Sequence, residues 1–187
     1  ACPDNKTGSS GPSDGNICLW DYERTTPIKT LRGHTERNRS ISLNSDGTLL
    51  ASGSFDNTIR IWHIPSGECC GTIVGHSNWI RSVTFMRDLL VSTSDDQTIR
   101  VWNPITQEPL RIIQGKASWF FAVSASSDGK HIVSGGDDGV IKIWNLKSGK
   151  ITKTIKGHAN WVEAIAIDPK AKLIASGSED QKIKIWN

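Results

Sequence analysis

Serine, aspartate and tryptophan recur together in this chain at fixed intervals. Trp20, Trp62, Trp102, Trp144 and Trp186 stand 42, 40, 42 and 42 residues apart, with a Ser ten residues and an Asp six residues before each. Ser52 and Asp56 precede Trp62, Ser92 and Asp96 precede Trp102, Ser134 and Asp138 precede Trp144, and Ser176 and Asp180 precede Trp186. Three copies add a His after a Gly upstream, at His34, His76 and His158. Ser, His and Asp are the ingredients of a nucleophilic triad, which would make the chain a hydrolase. The same groups together with an indole N–H can instead form a buried network of hydrogen bonds, in which every member must find a partner. Repetition decides for the network: an enzyme needs one site, the Trp belongs to the set, and no nucleophile-elbow sequence surrounds the Ser.

The elements that must position these groups are short strands. A period near forty defines a repeat array whose copies cannot bury a core singly and must stack. In one copy, period-two alternation predicts strands over Ile80 to Phe85, Leu89 to Thr93, Thr98 to Trp102 and Pro109 to Ile113. Asp46-Gly47 and Asp128-Gly129 read as hairpin turns, Asp168-Pro169 as a variant, and Phe55-Asp56-Asn57 or Asp137-Asp138-Gly139 as tight turns before the Trp strand. Residues 1–16 are rich in Gly, Pro, Ser, Asp and Asn and read as loop, although Ser10 and Asp14 keep the register of a worn repeat. The expected division is therefore 1–16, a degenerate start of a partial blade, and 17–187, the repeat array. The fold class is all-β, stacked antiparallel sheets with one four-stranded blade per repeat and four to five blades represented.

Charge is nearly balanced at +3, with no block of like sign. That speaks against a nucleic-acid footprint or a membrane surface as partner. Arg60, Arg100, Lys142 and Lys184 recur two residues before Trp, and their regularity reads as aliphatic stems covering the blade with the charge in solvent. Cys2, Cys18, Cys69 and Cys70 show no paired spacing, so they read as buried or edge thiols in a reducing, cytoplasmic compartment. No Cys or His set has ligand spacing, so no metal and no cofactor is expected.

The residues resemble the WD-repeat (WD40) propeller family. Gly33-His34, Gly75-His76 and Gly157-His158 carry the resemblance, with Ser52-Gly53-Ser54, Ser134-Gly135-Gly136, Ser176-Gly177-Ser178 and the Trp-ended strands. The Asp that follows Trp in the family survives as Trp20-Asp21, and His63, Asn103, Asn145 and Asn187 replace it elsewhere. The resemblance implies that the sheets form a β-propeller, that each His, Ser, Asp and Trp set is a structural tetrad and that the ring has about seven blades, of which this array is part. One copy departs: Gly115-Lys116 stands where Gly-His is expected. There Lys116 reads as pointing to solvent, with water satisfying Asp138.

The resemblance also implies one binding face, around the channel mouth, where the loop before each first strand and the tight turn before each Trp strand emerge. Matching the copies gives Arg37 and Arg39, Trp79 and Arg81, Trp119 and Phe121, and Trp161 and Glu163, with Phe55, Asp95, Asp137 and Glu179 from the tight turns. Trp79, Trp119 and Trp161 either pack on the neighbouring blade or meet a partner, because recurrence fits both. The varied residues point to binding, since a repeat scaffold stores specificity in its variation. The implied function is a non-catalytic protein-interaction scaffold for a peptide or protein, within a larger signalling or assembly protein. The alternative is a regulatory sensor of a multidomain enzyme, a kinase or nucleotide-dependent switch. Four first strands accompany five Trp strands, so self-association is a further expectation if the ring is incomplete.

Overall fold

Eighteen strands and no helix form the described residues of the computed structural model: 7–10, 15–21, 26–115, 119–168 and 172–187. Blade 1 comprises β1 (Thr7–Ser10), β2 (Ile17–Asp21) and β3 (Pro27–Leu31). Blade 2 comprises β4 (Asn38–Leu43), β5 (Leu49–Ser54), β6 (Thr58–His63) and β7 (Glu68–Val74). Blade 3 follows with β8 (Ile80–Met86), β9 (Leu89–Ser94), β10 (Thr98–Trp102) and β11 (Pro109–Gln114). Blade 4 holds β12 (Phe120–Ala125), β13 (His131–Gly136), β14 (Val140–Asn145) and β15 (Ile151–Lys156). Blade 5 holds β16 (Val162–Ile167), β17 (Ile174–Ser178) and β18 (Ile183–Trp186). Every sheet is antiparallel and, within each blade, the strands lie in chain order or its reverse.

Local sequence explains the regularity. Hairpin turns need a left-handed residue, and Gly47 and Gly129 supply it at φ 73° each. The tight turn before each Trp strand needs the same conformation; Asn57, Gln97, Gly139 and Gln181 adopt it at φ 67°, 66°, 67° and 65°. One reading of the sequence is corrected here. Within residues 1–16, Thr7–Ser10 is a strand, pairing with β2 from Thr7↔Asp21 to Ser10↔Cys18. A ladder is made by main-chain groups, so a Thr-Gly-Ser-Ser stretch can pair without the apolar alternation that marks a strand in sequence.

The core lies between blades. Ala51, Ile59, Ile61 and Ile73 of blade 2 pack on Ile80, Val83, Leu90 and Trp102 of blade 3. Met86, Val91, Ile99, Val101 and Ile113 of blade 3 pack in turn on Phe120, Val123, Ile132 and Trp144 of blade 4. Each Trp is thus the large apolar piece that one blade presses against the blade before it. Burying such side chains contributes about 1.5–3 kcal/mol apiece, which holds neighbouring blades together.

Candidate functional site

Two constellations recur from blade to blade: a buried polar network and a bulged rim. In blade 3, His76 Nδ1–H donates to Asp96 Oδ2 at 2.7 Å, Ser92 Oγ–H donates to His76 Nε2 at 2.7 Å, and Trp102 Nε1–H donates to Ser92 Oγ at 2.8 Å. Blade 2 repeats this at 2.7, 2.7 and 2.8 Å through His34, Asp56, Ser52 and Trp62. Blade 5 gives 2.8, 2.7 and 2.8 Å through His158, Asp180, Ser176 and Trp186. Asp, His and Ser are therefore connected in the order of a nucleophilic triad. The hydroxyl nevertheless has no approach for a substrate carbonyl. Ser52 and Ser92 are 0% exposed and Ser176 2%, and each Oγ already accepts an indole N–H.

The carboxylates are tuned by this setting. Burial alone would raise the Asp56 and Asp96 carboxyls, but hydrogen bonds from His34 and Thr58, and from His76 and Thr98, outweigh it and hold both far below the usual range. The same balance, with His158 as the main donor, brings Asp180 down to about 2. Burial lowers His76, against the opposing pull of its Asp96 hydrogen bond.

Blade 4 is built differently. Trp144 Nε1–H still donates to Ser134 Oγ at 2.8 Å, while Asp138 is held by Lys142 Nζ at 2.7 Å. Beside the water expected at Asp138, a lysine four residues along the same hairpin reaches it. Lys116 itself lies outside the described residues, as does Asp14. Phe120 takes the edge-on station of the missing imidazole, at 6.0 Å and 75° from the Trp144 ring. The imidazoles of the other blades stand 5.8 to 6.2 Å from their indoles at 62° to 75°. Two of the recurrent cations, Arg100 and Lys142, depart from expectation by turning their charges to the Asp of their own blade, whereas Arg60 Nη1 lies 3.9 Å from Cys69 Sγ. Arg100 lies 3.6 Å from Asp96, and Lys184 donates to the Gly157 carbonyl.

The rim depends on β-bulges that sequence reasoning missed. At the start of each first strand the pairing skips one residue: Asn38↔Ser54 is followed by Ser40↔Gly53, and Ile80↔Ser94 by Ser82↔Thr93. Phe120↔Gly136 is followed by Ala122↔Gly135, and Val162↔Ser178 by Ala164↔Gly177. The skipped residues are Arg39, Arg81, Phe121 and Glu163. A bulge leaves its extra residue unpaired and re-aims its side chain. The small residues opposite, three of them Gly, are the only trace of this in the sequence.

Arg39 reaches from blade 2 to Glu163 of blade 5, at 2.7 Å. Arg81 binds Asp95 with both arms, Nε to Oδ1 at 2.8 Å and Nη2 to Oδ2 at 2.6 Å. Its guanidinium also lies 5.4, 5.4 and 5.2 Å from the ring centres of Phe55, Trp79 and Phe121. Phe55 stacks on Trp79 at 4.4 Å, and Phe121 packs on Trp161 at 5.2 Å. Backbone bonds from Phe55, Asp95, Asp137 and Glu179 to the carbonyls of Arg37, Trp79, Trp119 and Trp161 tie each tight turn to the residue ahead of its bulge.

Trp79, Trp119 and Trp161 remain 44%, 43% and 39% exposed, while Trp79 and Trp161 also pack on Phe55 and Phe121 of the neighbouring blade. The structure corrects two of the partner-facing residues. Phe121 is buried and supports the rim from beneath, and Asp95 is closed into its ion pair with Arg81. Arg37 is exposed; Arg39 and Glu163, though part-exposed, hold one another. Among the described residues no group of three or more His, Cys, Asp or Glu could hold a metal ion.

All-β blades, four of them locked by a hydrogen bond from the strand-ending Trp to a buried or part-buried Ser, define a repeat scaffold. The family model "WD domain, G-beta repeat" matches residues 25–63, 67–103, 107–145 and 149–187, well over half of the chain. The chain belongs to the WD-repeat family, whose domains serve in protein–protein interaction. It is similar to Protein groucho of Drosophila melanogaster, 38% identical over 66 residues, which are 35% of this chain and 9% of that protein. The match thus spans under a tenth of that relative's length.

Proposed function

We propose that this chain is a non-catalytic scaffold that presents the bulged face of its blades to a peptide or protein partner, as part of a larger signalling or assembly protein. One observation carries the reading: three equivalent tryptophans stay about two-fifths exposed beside the bulges, although every tryptophan that ends a complete blade's third strand is buried. Exposed Trp at a rigid position is the residue type most enriched among binding hot spots. The sealed Ser hydroxyls support the non-catalytic part, since a nucleophile must meet its substrate. Exposed thiols at Cys69 and Cys70 support a reducing, cytoplasmic setting.

The test is a triple variant, Trp79→Ala, Trp119→Ala and Trp161→Ala, compared with the native chain as bait. Because Trp79 and Trp161 also pack on Phe55 and Phe121, the variant should melt several degrees lower yet remain folded, which circular dichroism checks. Partners retained by the native chain are expected to be lost from the variant. Equal retention of the same partners by a folded variant would remove this face from the function.

A further inference from the structure

We infer that the segment seated on this face is apolar and poor in acidic residues, and that ring surface holds it while the charges of the rim do not. This rests on the face reading above. Among the described residues the rim has little free charge to offer. Arg39 and Glu163 neutralise each other at 2.7 Å, and Arg81 is bound by both oxygens of Asp95 with its side chain only 21% exposed. A partner's charge could use either pair only by displacing its present mate, leaving that mate part-buried and uncompensated.

The other rim charges among the described residues are also engaged or balanced. Asp137 Oδ1 accepts the Trp119 N–H at 3.0 Å, and Glu179 Oε2 accepts from Asn160 Nδ2 at 3.3 Å. These two carboxylates add a repulsion against acidic groups. Glu36 and Arg37, adjacent and both exposed, carry opposite signs at the blade 2 end. The surface left for contact is indole. Phe55 behind Trp79 and Phe121 behind Trp161 hold two of the rings in place before binding, which lowers the entropy cost of using them. Trp also supplies a large area with only two side-chain torsions to freeze.

The experiment selects a random phage-displayed library of roughly 12-residue peptides on the full chain, at about 0.05 M and about 0.5 M NaCl, a range over which exposed charge pairs are strongly screened. The folded triple Trp variant is the counter-target. Peptides enriched in Leu, Pro and aromatic residues and depleted in Asp and Glu are expected. Their Kd should change less than about threefold between the two salts and weaken at least about tenfold on the variant. Selected peptides rich in acidic residues, or a Kd that weakens threefold or more with salt, would overturn the inference and leave the face reading standing. A selection giving no peptide that distinguishes native chain from variant would overturn both.

Discussion

Blades 3 and 4 are neighbours with the same strand order, and they fill the same space by different physics. Blade 3 places an imidazole against Trp102 and connects it to a carboxylate and a hydroxyl. Blade 4 places a phenyl ring against Trp144 and leaves its carboxylate to a part-buried pair with a lysine. In blade 3 each polar member depends on the next, so losing one strands the others in a buried site. In blade 4 the contact with the indole is apolar, and the ion pair touches it through Lys142 Nζ, 5.7 Å from the centre of the Phe120 ring, so fewer polar groups are stranded when one is lost. The Trp–Ser bond survives in both and is the common minimum of the design.

The comparison can be broken experimentally, and the largest effect belongs to the ring. Phe120→Ala should cost about 3–5 kcal/mol in urea unfolding, because a fully buried phenyl leaves a cavity between blades 3 and 4. A loss under about 1 kcal/mol would mean that the ring only rests on Trp144. Next comes the contrast of carboxylates. Asp96→Ala should cost about 2–3 kcal/mol and Asp138→Ala less than about 1 kcal/mol. Equal losses would show that blade 4 has a hidden network of its own.

The smallest and most specific effect is acid sensitivity. His76 sits below its ordinary value, so unfolded chain takes up protons that the folded imidazole refuses. Stability from this group is complete above about pH 6.5 and declines as pH falls. Asp56 and Asp96 lie below their ordinary range; their contribution is present above about pH 4 and is lost on further acidification. Native-state amide exchange at pH 5 should therefore loosen blade 3 relative to blade 4 when compared with pH 7. Unchanged relative protection would sink the assignment.

Much of this was legible in the sequence because the networks are local in register. Ser ten and Asp six residues before Trp fall across one hairpin, and the ladder Ser52↔Arg60 with Leu50↔Trp62 carries that spacing straight into space. Turn chemistry was legible for the same reason, since Asp-Gly fixes its own conformation. The bulges were not, because a skipped residue is a property of two strands together and neither strand shows it alone. Nor was the inward turn of Arg100 and Lys142, since a cation facing a network and a cation facing solvent share one alternation pattern. The ion pair of Arg39 with Glu163 spans 124 residues of sequence and follows from the curvature of the array.

The sequence repeat and the blade are out of step. The matched unit 67–103 begins with β7, the last strand of blade 2, and continues through the first three strands of blade 3; the units from 107 and 149 are offset alike. The turn from Ile64 to Gly67 is thus a boundary between units inside a single sheet. A protease that nicks this turn separates two lengths of chain that still share the β6–β7 ladder from Thr58↔Val74 to His63↔Glu68. The cut products should migrate together under native conditions and part only in denaturant, because the ladder that joins them outlasts the peptide bond.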